Sequence, residues 1–140
     1  MSNTYSILDE SSVKRGVYMD NFAVIGIYVD DINKAKKFYC DALGFEVENS
    51  YNDGCILQLK SEGSTVILEQ VDKPATPVYP GGSQIVLCVA TDNIEKTSKE
   101  FRDKGVNFLH DGPQPFVAGR FMAMKDPAGN TLELLEFKRD

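Results

Sequence analysis

The chain has 140 residues, of which 42% are hydrophobic and 26% charged, and its formal net charge is −6 at pH 7. These values are typical of one globular domain, or of two half-sized modules that share a core. The acidic balance disfavours nucleic acid and anionic membrane as partners, and the chain lacks the apolar run of about 18 residues that a membrane-spanning helix needs.

The N-terminal part, residues 1–20, is polar, shows no clear period and has no apolar segment of the kind found in secretory signals. We interpret it as an extension that precedes a single domain at residues 21–137. The three cysteines, Cys40, Cys55 and Cys88, are odd in number and form no C-x-x-C pair. Reduced, inert core thiols and a cytoplasmic location are therefore expected.

Residues of about 21–70 are predicted to form a first module. The β-branched and aromatic run at 22–29 is typical of a strand. A helix with one apolar face follows, with its cap at Asp30 or Asp31 and its end at Gly44. Three short strands complete the module, at residues 45–48, 55–59 and 65–69.

The segment 71–83 holds three prolines and two adjacent glycines, which predicts a linker. After it, at about 84–137, the pattern starts again. A strand at 84–90 is followed by a helix with Thr91 or Asp92 as its cap and Gly105 at its end. The remaining segments are a strand at 106–109, a loop at 110–119 and two strands at 120–125 and 131–137.

This internal repeat predicts an α+β fold in which two βαβββ modules form a curved mixed sheet around a shared cavity, with the helices outside. Alternation along each strand then assigns side chains to the helix face or to the cavity face. The side chains expected to point into the cavity include those of Val24, Tyr28, Gln84 and Glu133. Glu133 is notable because it interrupts an otherwise apolar strand.

Two motifs carry a resemblance to a known family. DDINKAKKFYCDALGF, at 30–45, is similar to the D-x-x-x-x-x-x-FY-x-x-x-LGF motif of the vicinal oxygen chelate superfamily, and DPAGNTLELLEF, at 126–137, is similar to its DP-x-GN-x-x-E-L motif. That superfamily contains glyoxalase I, extradiol dioxygenases, fosfomycin-resistance enzymes and bleomycin-binding proteins. The resemblance covers about residues 22–137 and implies the two-module fold and a homodimer.

The resemblance also implies where metal ligands would lie: at the start of the first strand and the end of the last strand of each module. These positions fall on Val24, Glu69, Gln84 and Glu133. Val24 cannot bind a metal, and the only histidine, His110, lies in a loop outside the pattern. Dioxygenase chemistry, which needs two histidines and a carboxylate, is excluded. We expect no cofactor, and the alternative is a weakly bound divalent metal on Glu69, Gln84 and Glu133.

Glu133 has three possible roles in this reading. Desolvation in an apolar cavity would raise the pKa of its carboxyl group and suit it to act as a general base. It would otherwise face a ligand, or pair with Arg120 or Gln84 and close the sheet. The ligand-binding residues expected from strand alternation and loop position are Val24, Tyr28, Glu69, Gln84, Arg120, Phe121 and Glu133.

Three functions compete. The first is a metal-free binding protein, similar to the bleomycin-resistance group, that sequesters a small, cationic or partly apolar molecule between the modules. The second is a glyoxalase-like lyase or isomerase that uses Glu133 as a base, with or without a weakly bound divalent metal. The third is a structural or regulatory module whose cavity is filled by side chains.

Overall fold

The computed structural model describes residues 16–17, 19–75, 79–80, 82 and 84–139. Its strands form two four-stranded mixed sheets that are not joined to each other by strand pairing. The element order is β1 (Val24–Val29), α1 (Ile32–Lys36), β2 (Val47–Tyr51), β3 (Ile56–Leu59), β4 (Thr65–Gln70), β5 (Leu87–Ala90), α2 (Ile94–Asp103), β6 (Gln114–Phe116), β7 (Gly119–Lys125) and β8 (Thr131–Phe137). The prediction of an α+β fold with two βαβββ modules is confirmed.

The two sheets have the same topology. Sheet A runs β1-β4-β3-β2 and sheet B runs β5-β8-β7-β6. In each, the first strand is parallel to the last, and the other neighbours are antiparallel. The first strand of each module therefore lies at one edge of its sheet, beside the last strand.

The helix of the first module starts where the sequence predicts. The Asp31 carboxylate accepts the backbone N–H groups of Asn33 and Lys34, at 3.0 and 3.1 Å, as an N-cap residue does. The α-helical turns continue directly into a π-helical segment, Lys37–Ala42. Gly44 follows with a φ of +91°, a left-handed conformation that glycine adopts without strain.

In the second module the cap is Asn93, not Thr91 or Asp92. Its side-chain oxygen accepts the N–H of Lys96 at 3.0 Å. The Thr91 hydroxyl instead contacts the Thr97 hydroxyl at 2.6 Å. The helix begins at Ile94, which is fully buried, one position later than a cap at Asp92 would give and two later than a cap at Thr91.

The hairpin β6–β7 corrects two further expectations. Residues 110–119 were expected to form a loop, but Gln114–Phe116 pairs with the start of β7 through a two-residue turn. Pro115 is tolerated because β6 is an edge strand. The strand expected at 106–109 is reduced to a single bridge between Phe108 and Met124.

The two modules share one apolar core on the helix side of both sheets. It contains residues of module 1, such as Leu59 and Leu68, and of module 2, such as Met122, Met124 and Leu134. A hydrogen bond also joins the modules: the Tyr39 hydroxyl donates to Asp126 Oδ2 at 2.8 Å, and both residues are buried. The first helical segment therefore packs its apolar face into the core and also makes a polar contact with module 2.

The turn between β7 and β8 is fixed by Asp126. Its Oδ1 atom accepts the N–H groups of Ala128 and Asn130, at 2.9 and 2.8 Å. Gly129 has a φ of +92°, a left-handed conformation that suits glycine in this turn. The Asn130 side chain donates across the module boundary to the backbone carbonyl of Tyr28 at 3.0 Å.

The N-terminal extension up to residue 15 and parts of the linker, at 76–78, 81 and 83, lie outside the described residues. Within the described ranges, no helix is long and apolar enough to cross a membrane.

Candidate functional site

Each sheet has one face away from its helix, and we call these open face A and open face B. Open face A carries Val24, Tyr28, Tyr51, Gln58 and Glu69, which the strand register places on the same side of sheet A. Open face B carries Cys88, Phe116, Phe121, Glu133, Leu135 and Phe137. These faces are the surfaces that strand alternation assigned to the cavity.

Open face A is largely exposed. Val24, Tyr28 and Tyr51 are 53%, 57% and 50% exposed. Tyr28 lies opposite Glu69 in the parallel pair of β1 and β4. The Gln58 side chain accepts hydrogen bonds from Asn49 and Tyr51, both at 3.3 Å. The result is a mixed surface of rings, amides and one carboxylate, with no cationic side chain among the residues that define it.

Open face B carries a row of aromatic rings. The Phe121 ring meets the His110 ring edge-on at 5.4 Å and the Phe116 ring at 6.1 Å, measured between centroids. Phe116 in turn meets Phe137 at 6.2 Å, and Phe137 is 53% exposed. Edge-to-face packing of this kind stabilises the row.

Glu133 lies on open face B, between Cys88 of β5 and Ala123 of β7. Its Oε2 atom accepts a hydrogen bond of 2.6 Å from the hydroxyl of Tyr79, a linker residue. The Cys88 thiol lies 4.0 Å from Oε1. The carboxylate that interrupts the apolar strand is thus half-buried, turned away from the helix and held by two uncharged side chains.

The neighbours of Glu133 respond to its charge and to burial. Burial, together with the hydrogen bond and charge of Glu133, raises the pKa of Tyr79 to about 12. Burial, and then the charge of Glu133, raises the pKa of the Cys88 thiol. Tyr79 therefore stays a hydrogen-bond donor at neutral pH, and Cys88 stays a thiol rather than a nucleophilic thiolate.

Arg120 does not belong to this face. Its guanidinium binds Glu95 of α2 at 2.7 Å and Glu136 of β8 at 2.6 Å, on the helix side of sheet B. Glu136 lies three residues after Glu133 on β8. Because this separation is odd, the two side chains point to opposite faces of the sheet. The expectation that Arg120 pairs with Glu133 is wrong, and Arg120 is not on the same face as the other predicted ligand-binding residues.

Gln84 is also placed differently from the expectation. It is exposed and precedes β5, which begins at Leu87. Gln70 and Glu136 are equivalent, because each accepts the first N–H of its own helix, so Ile67 and Glu133, three residues earlier, are equivalent too. The strand registers put Ile67 opposite Gly26 in module 1 and Glu133 opposite Cys88 in module 2. Gly26 and Cys88 are therefore counterparts, and the counterpart of Val24 is Val86 rather than Gln84.

This register tests whether the residues fit a metal ion of the kind that the superfamily implies. The four equivalent positions of the two modules hold Val24, Ile67, Val86 and Glu133, of which only Glu133 carries a metal-binding side chain. Across the described ranges, no group of three or more His, Cys, Asp or Glu side chains converges. The donor set does not fit a divalent metal, and Glu133 Oε2 is already engaged by Tyr79.

Two buried polar atoms have no hydrogen-bond partner within the part of the chain that the structure describes: His110 Nε2 and Thr131 Oγ1. Thr131 lies two residues before Glu133 on the same side of β8, and His110 packs on the Phe121 ring. Both atoms belong to the surroundings of open face B. His110, expected to be a surface loop residue, is in fact half-buried there.

The predicted site residues thus form two groups. Val24, Tyr28 and Glu69 lie on open face A, and Phe121 and Glu133 lie on open face B. Between the described residues, no side-chain hydrogen bond or ion pair joins the two groups. A space of about 370 Å³ between the modules lies instead on the helix side, and its walls include Phe45 and Phe101.

The contact of Tyr79 with Glu133 was not predicted from the sequence. A tyrosine in a segment rich in proline and glycine has no periodicity that would assign it to a face. The row formed by His110, Phe116, Phe121 and Phe137 was not predicted either, because the residues of β6 were expected to lie in a loop. The one available signal was the recurrence of phenylalanine near the ends of neighbouring strands.

Comparisons with known proteins agree with this fold. The profile of the Glyoxalase/Bleomycin resistance protein/Dioxygenase superfamily matches residues 21–134. A probable lactoylglutathione lyase from Synechocystis sp. is 25% identical over 118 residues, covering 79% of this chain and 90% of that protein.

Two solved structures from Streptomyces sp. CB03234 are also similar. One, a glyoxalase/bleomycin resistance protein, is 29% identical with a TM-score of 0.60, covering 84% of this chain and all (100%) of the other. The second, the antibiotic-binding protein TnmS3, is 23% identical with a TM-score of 0.67, covering 88% and 100%, and shows likeness of fold. Because the family profile spans both modules, the chain belongs to the Glyoxalase/Bleomycin resistance protein/Dioxygenase superfamily.

Proposed function

We propose that this protein binds and sequesters a small, partly apolar molecule against its open faces. The observation that carries the proposal is Glu133, a half-buried carboxylate beside the ring row of open face B, whose two contacts are uncharged. Ligand sites of this kind combine apolar walls with few polar groups that fix orientation. Phe121 and Phe137 supply the wall, and Glu133 supplies the polar anchor.

The binding unit that we propose is a cytoplasmic homodimer. Several large apolar side chains are exposed along the segment that leads into β1, among them Val17, Met19 and Phe22, at 89%, 80% and 80%. Apolar side chains that are this exposed and this close together in the sequence are typical of an interface. The three free cysteines accord with a reducing compartment.

A thermal-shift panel tests the binding function. The panel contains neutral two-ring aromatic compounds, each measured over a series of concentrations. A neutral compound tests binding to the apolar wall independently of the charge of Glu133. A ligand at 100 times its Kd stabilises the folded state by about 2.7 kcal/mol. We expect saturable rises in Tm for some of these compounds, and a loss of the rise in Phe121→Ser. A panel without any saturable rise would contradict the proposal.

A second candidate is a lyase or isomerase with Glu133 as general base. It is favoured by the similarity to a probable lactoylglutathione lyase and by the position of Glu133 on the face of sheet B that lies away from the helix. The test is formation of lactoylglutathione from the adduct of methylglyoxal and glutathione, with and without Mn²⁺, Ni²⁺, Zn²⁺ or Mg²⁺. Turnover that is lost in Glu133→Gln would favour this enzyme over sequestration.

A further inference from the structure

The contacts of Glu133 carry one inference that rests on the proposed function and specifies its ligand. Burial of an ionised carboxylate is costly unless charged or strongly hydrogen-bonded partners compensate it. Among the described residues, two neutral side chains contact Glu133: the Tyr79 hydroxyl, in a strong hydrogen bond of 2.6 Å, and the Cys88 thiol, more weakly at 4.0 Å. The carboxylate is therefore half-buried with its negative charge only partly compensated by the side chains in contact with it.

Tyr79 also orients this charge. Because its hydroxyl takes Oε2, the other oxygen, Oε1, is the one on the Cys88 side. Cys88 is exposed, so this side of the carboxylate is open to solvent. A donor group of a ligand can reach Oε1 there without displacing Tyr79.

We infer that Tyr79, Glu133 and Cys88 form a recognition site for the ammonium group of a cationic ligand, with Glu133 as the counter-charge and Tyr79 as the positioning residue. The ligand's apolar body lies along Phe121, Phe116 and Phe137, and its cationic end meets Glu133 Oε1. An ammonium group suits this site because it donates hydrogen bonds and neutralises the carboxylate at the same time.

The ion pairs that join described residues do not include Glu133. Arg120 is bound by Glu95 and Glu136 on the opposite face. Lys125 is on the same side of β7 as Ala123, opposite Thr131, and has a contact of its own. The positive charge of Lys125 opposes the binding of a cation on this face. The preference of the site for cations over anions must therefore be measured directly.

Cys88 provides that measurement, because its thiol lies beside Glu133. We would treat the intact protein with two methanethiosulfonate reagents of similar size, one carrying a trimethylammonium group and one a sulfonate group. The Cys88 thiol loses its proton to water, its sulfur attacks the reagent, the reagent's S–S bond breaks and methanesulfinate leaves. Peptide mass spectrometry then gives the rate at each cysteine, and Cys55 serves as the internal reference for the net charge of the protein.

The quantity to compare is the ratio of cationic to anionic labelling rates at Cys88, divided by the same ratio at Cys55. This ratio cancels changes in the pKa of the thiol, which affect both reagents equally. Loss of one charge a few ångströms from the sulfur changes such a ratio by about tenfold. We expect Glu133→Gln to lower it by about this factor, and Glu100→Gln, which removes the same charge from an exposed position on α2, to change it by less than about twofold.

Tyr79→Phe tests the positioning role separately. Without the hydroxyl, Oε2 loses its partner and the carboxylate is free to rotate away from Cys88, so we expect the ratio to fall by about threefold. A ratio that is unchanged in Glu133→Gln, or wild-type labelling that favours the anionic reagent, would overturn the cation site. A ratio in Tyr79→Phe equal to or above that of the wild type would overturn the role of Tyr79.

The outcome is separable from that of the proposed function. Labelling reports the charge at the site whether or not any ligand is known, whereas the neutral panel reports binding to the apolar wall. If the neutral compounds raise Tm but the labelling at Cys88 shows no preference for the cationic reagent, the binding function stands and the cation site is overturned. If the labelling prefers the cationic reagent but no neutral compound raises Tm, the cation site stands and binding along the ring row is contradicted.

Discussion

Gln70 and Glu136 hold equivalent positions in the two modules, where each accepts the first N–H of its own helix. Ile32 donates to Gln70 Oε1 and Ile94 donates to Glu136 Oε2, both at 2.9 Å. The last strand of each module thus fixes the helix start by a side chain on its helix face. Glu136 has a further role that Gln70 lacks, since it also binds Arg120.

Replacement of Glu136 separates these two roles. Glu136→Gln keeps an acceptor for Ile94 and matches the residue of module 1, but it loses the ion pair with Arg120. Glu136→Ala loses both, and an unpaired helical N–H is destabilising. We expect the fall in Tm to be larger for alanine than for glutamine in thermal unfolding at pH 7. Equal falls would show that the Ile94 contact contributes nothing.

The contribution of Glu136 should depend on pH. The hydrogen bond from Ile94, then that from Arg120, holds the pKa of Glu136 below its ordinary value of 4.5. A carboxyl group with a lowered folded-state pKa stabilises the fold above its unfolded-state pKa and loses this effect as the pH falls through the folded-state pKa. The difference in stability between wild type and Glu136→Gln should therefore be constant near neutrality and shrink below about pH 4.5. A difference that grows on acidification would contradict this.

The hydrogen bond between Tyr39 and Asp126 should stabilise the contact of the two modules. Removal of the hydroxyl in Tyr39→Phe leaves the buried Asp126 carboxylate with one donor fewer, at a cost of about 1–3 kcal/mol in the free energy of unfolding. The matched control is Tyr51→Phe, because Tyr51 is exposed and its hydroxyl bond to Gln58 is 3.3 Å long. Urea denaturation measures both, and equal effects would refute a special role for Tyr39.

Gly119 should not tolerate a side chain. A Cβ atom there would collide with the carbonyl oxygen of Glu136 and lie 2.9 Å from the Cα atom of Phe137. We expect Gly119→Ala to destabilise the fold by more than about 3 kcal/mol. Gly26 on open face A is the control, because nothing lies within 4 Å of its Cβ position. A Gly119→Ala variant as stable as Gly26→Ala would mean that the β7–β8 contact is looser than described.

The proposed homodimer predicts a change of mass with one surface substitution. Phe22→Asp places a charge in the exposed patch before β1 and should shift the protein towards monomer in sedimentation equilibrium. Val117→Asp is the control, because Val117 is 93% exposed at the tip of the β6–β7 hairpin. A wild-type protein that sediments as a monomer at all concentrations would contradict the dimer.

Much of the fold could be predicted because local signals agreed with one another. The apolar helix face, the glycines after both helices and the DPAGN turn each specify local geometry, and their repetition specifies the modules. The errors concern features that depend on tertiary context. Asn93 was missed as a cap because Thr91 and Asp92 are equally good cap residues, and β6 was missed because prolines count against a strand unless it lies at an edge.

The site was harder to predict for a physical reason. Strand alternation put Glu133 on the opposite face from Leu132 and Leu134, and the structure buries these two leucines in the core. Phe121 was expected only near the cavity wall, without a face of its own. Strand alternation could not give the register between modules, so Gln84 was aligned with Val24, which is in fact the counterpart of Val86. The face of Arg120 was readable, because alternation along the predicted strand at 120–125 groups it with Met122 and Met124, which the structure buries on the helix side. Tyr79 reaches Glu133 from the linker, and such a contact has no pattern in sequence.

The central claim is that a small apolar molecule binds along the ring row of open face B. A fluorescence titration with the neutral dye N-phenyl-1-naphthylamine tests it most directly, using wild type, Phe121→Ser and Val117→Ser. We predict saturable binding to the wild type and to Val117→Ser, and binding at least about tenfold weaker to Phe121→Ser, because a central aromatic anchor is lost. Equal affinity in all three proteins, or no saturable binding to the wild type, would contradict the claim.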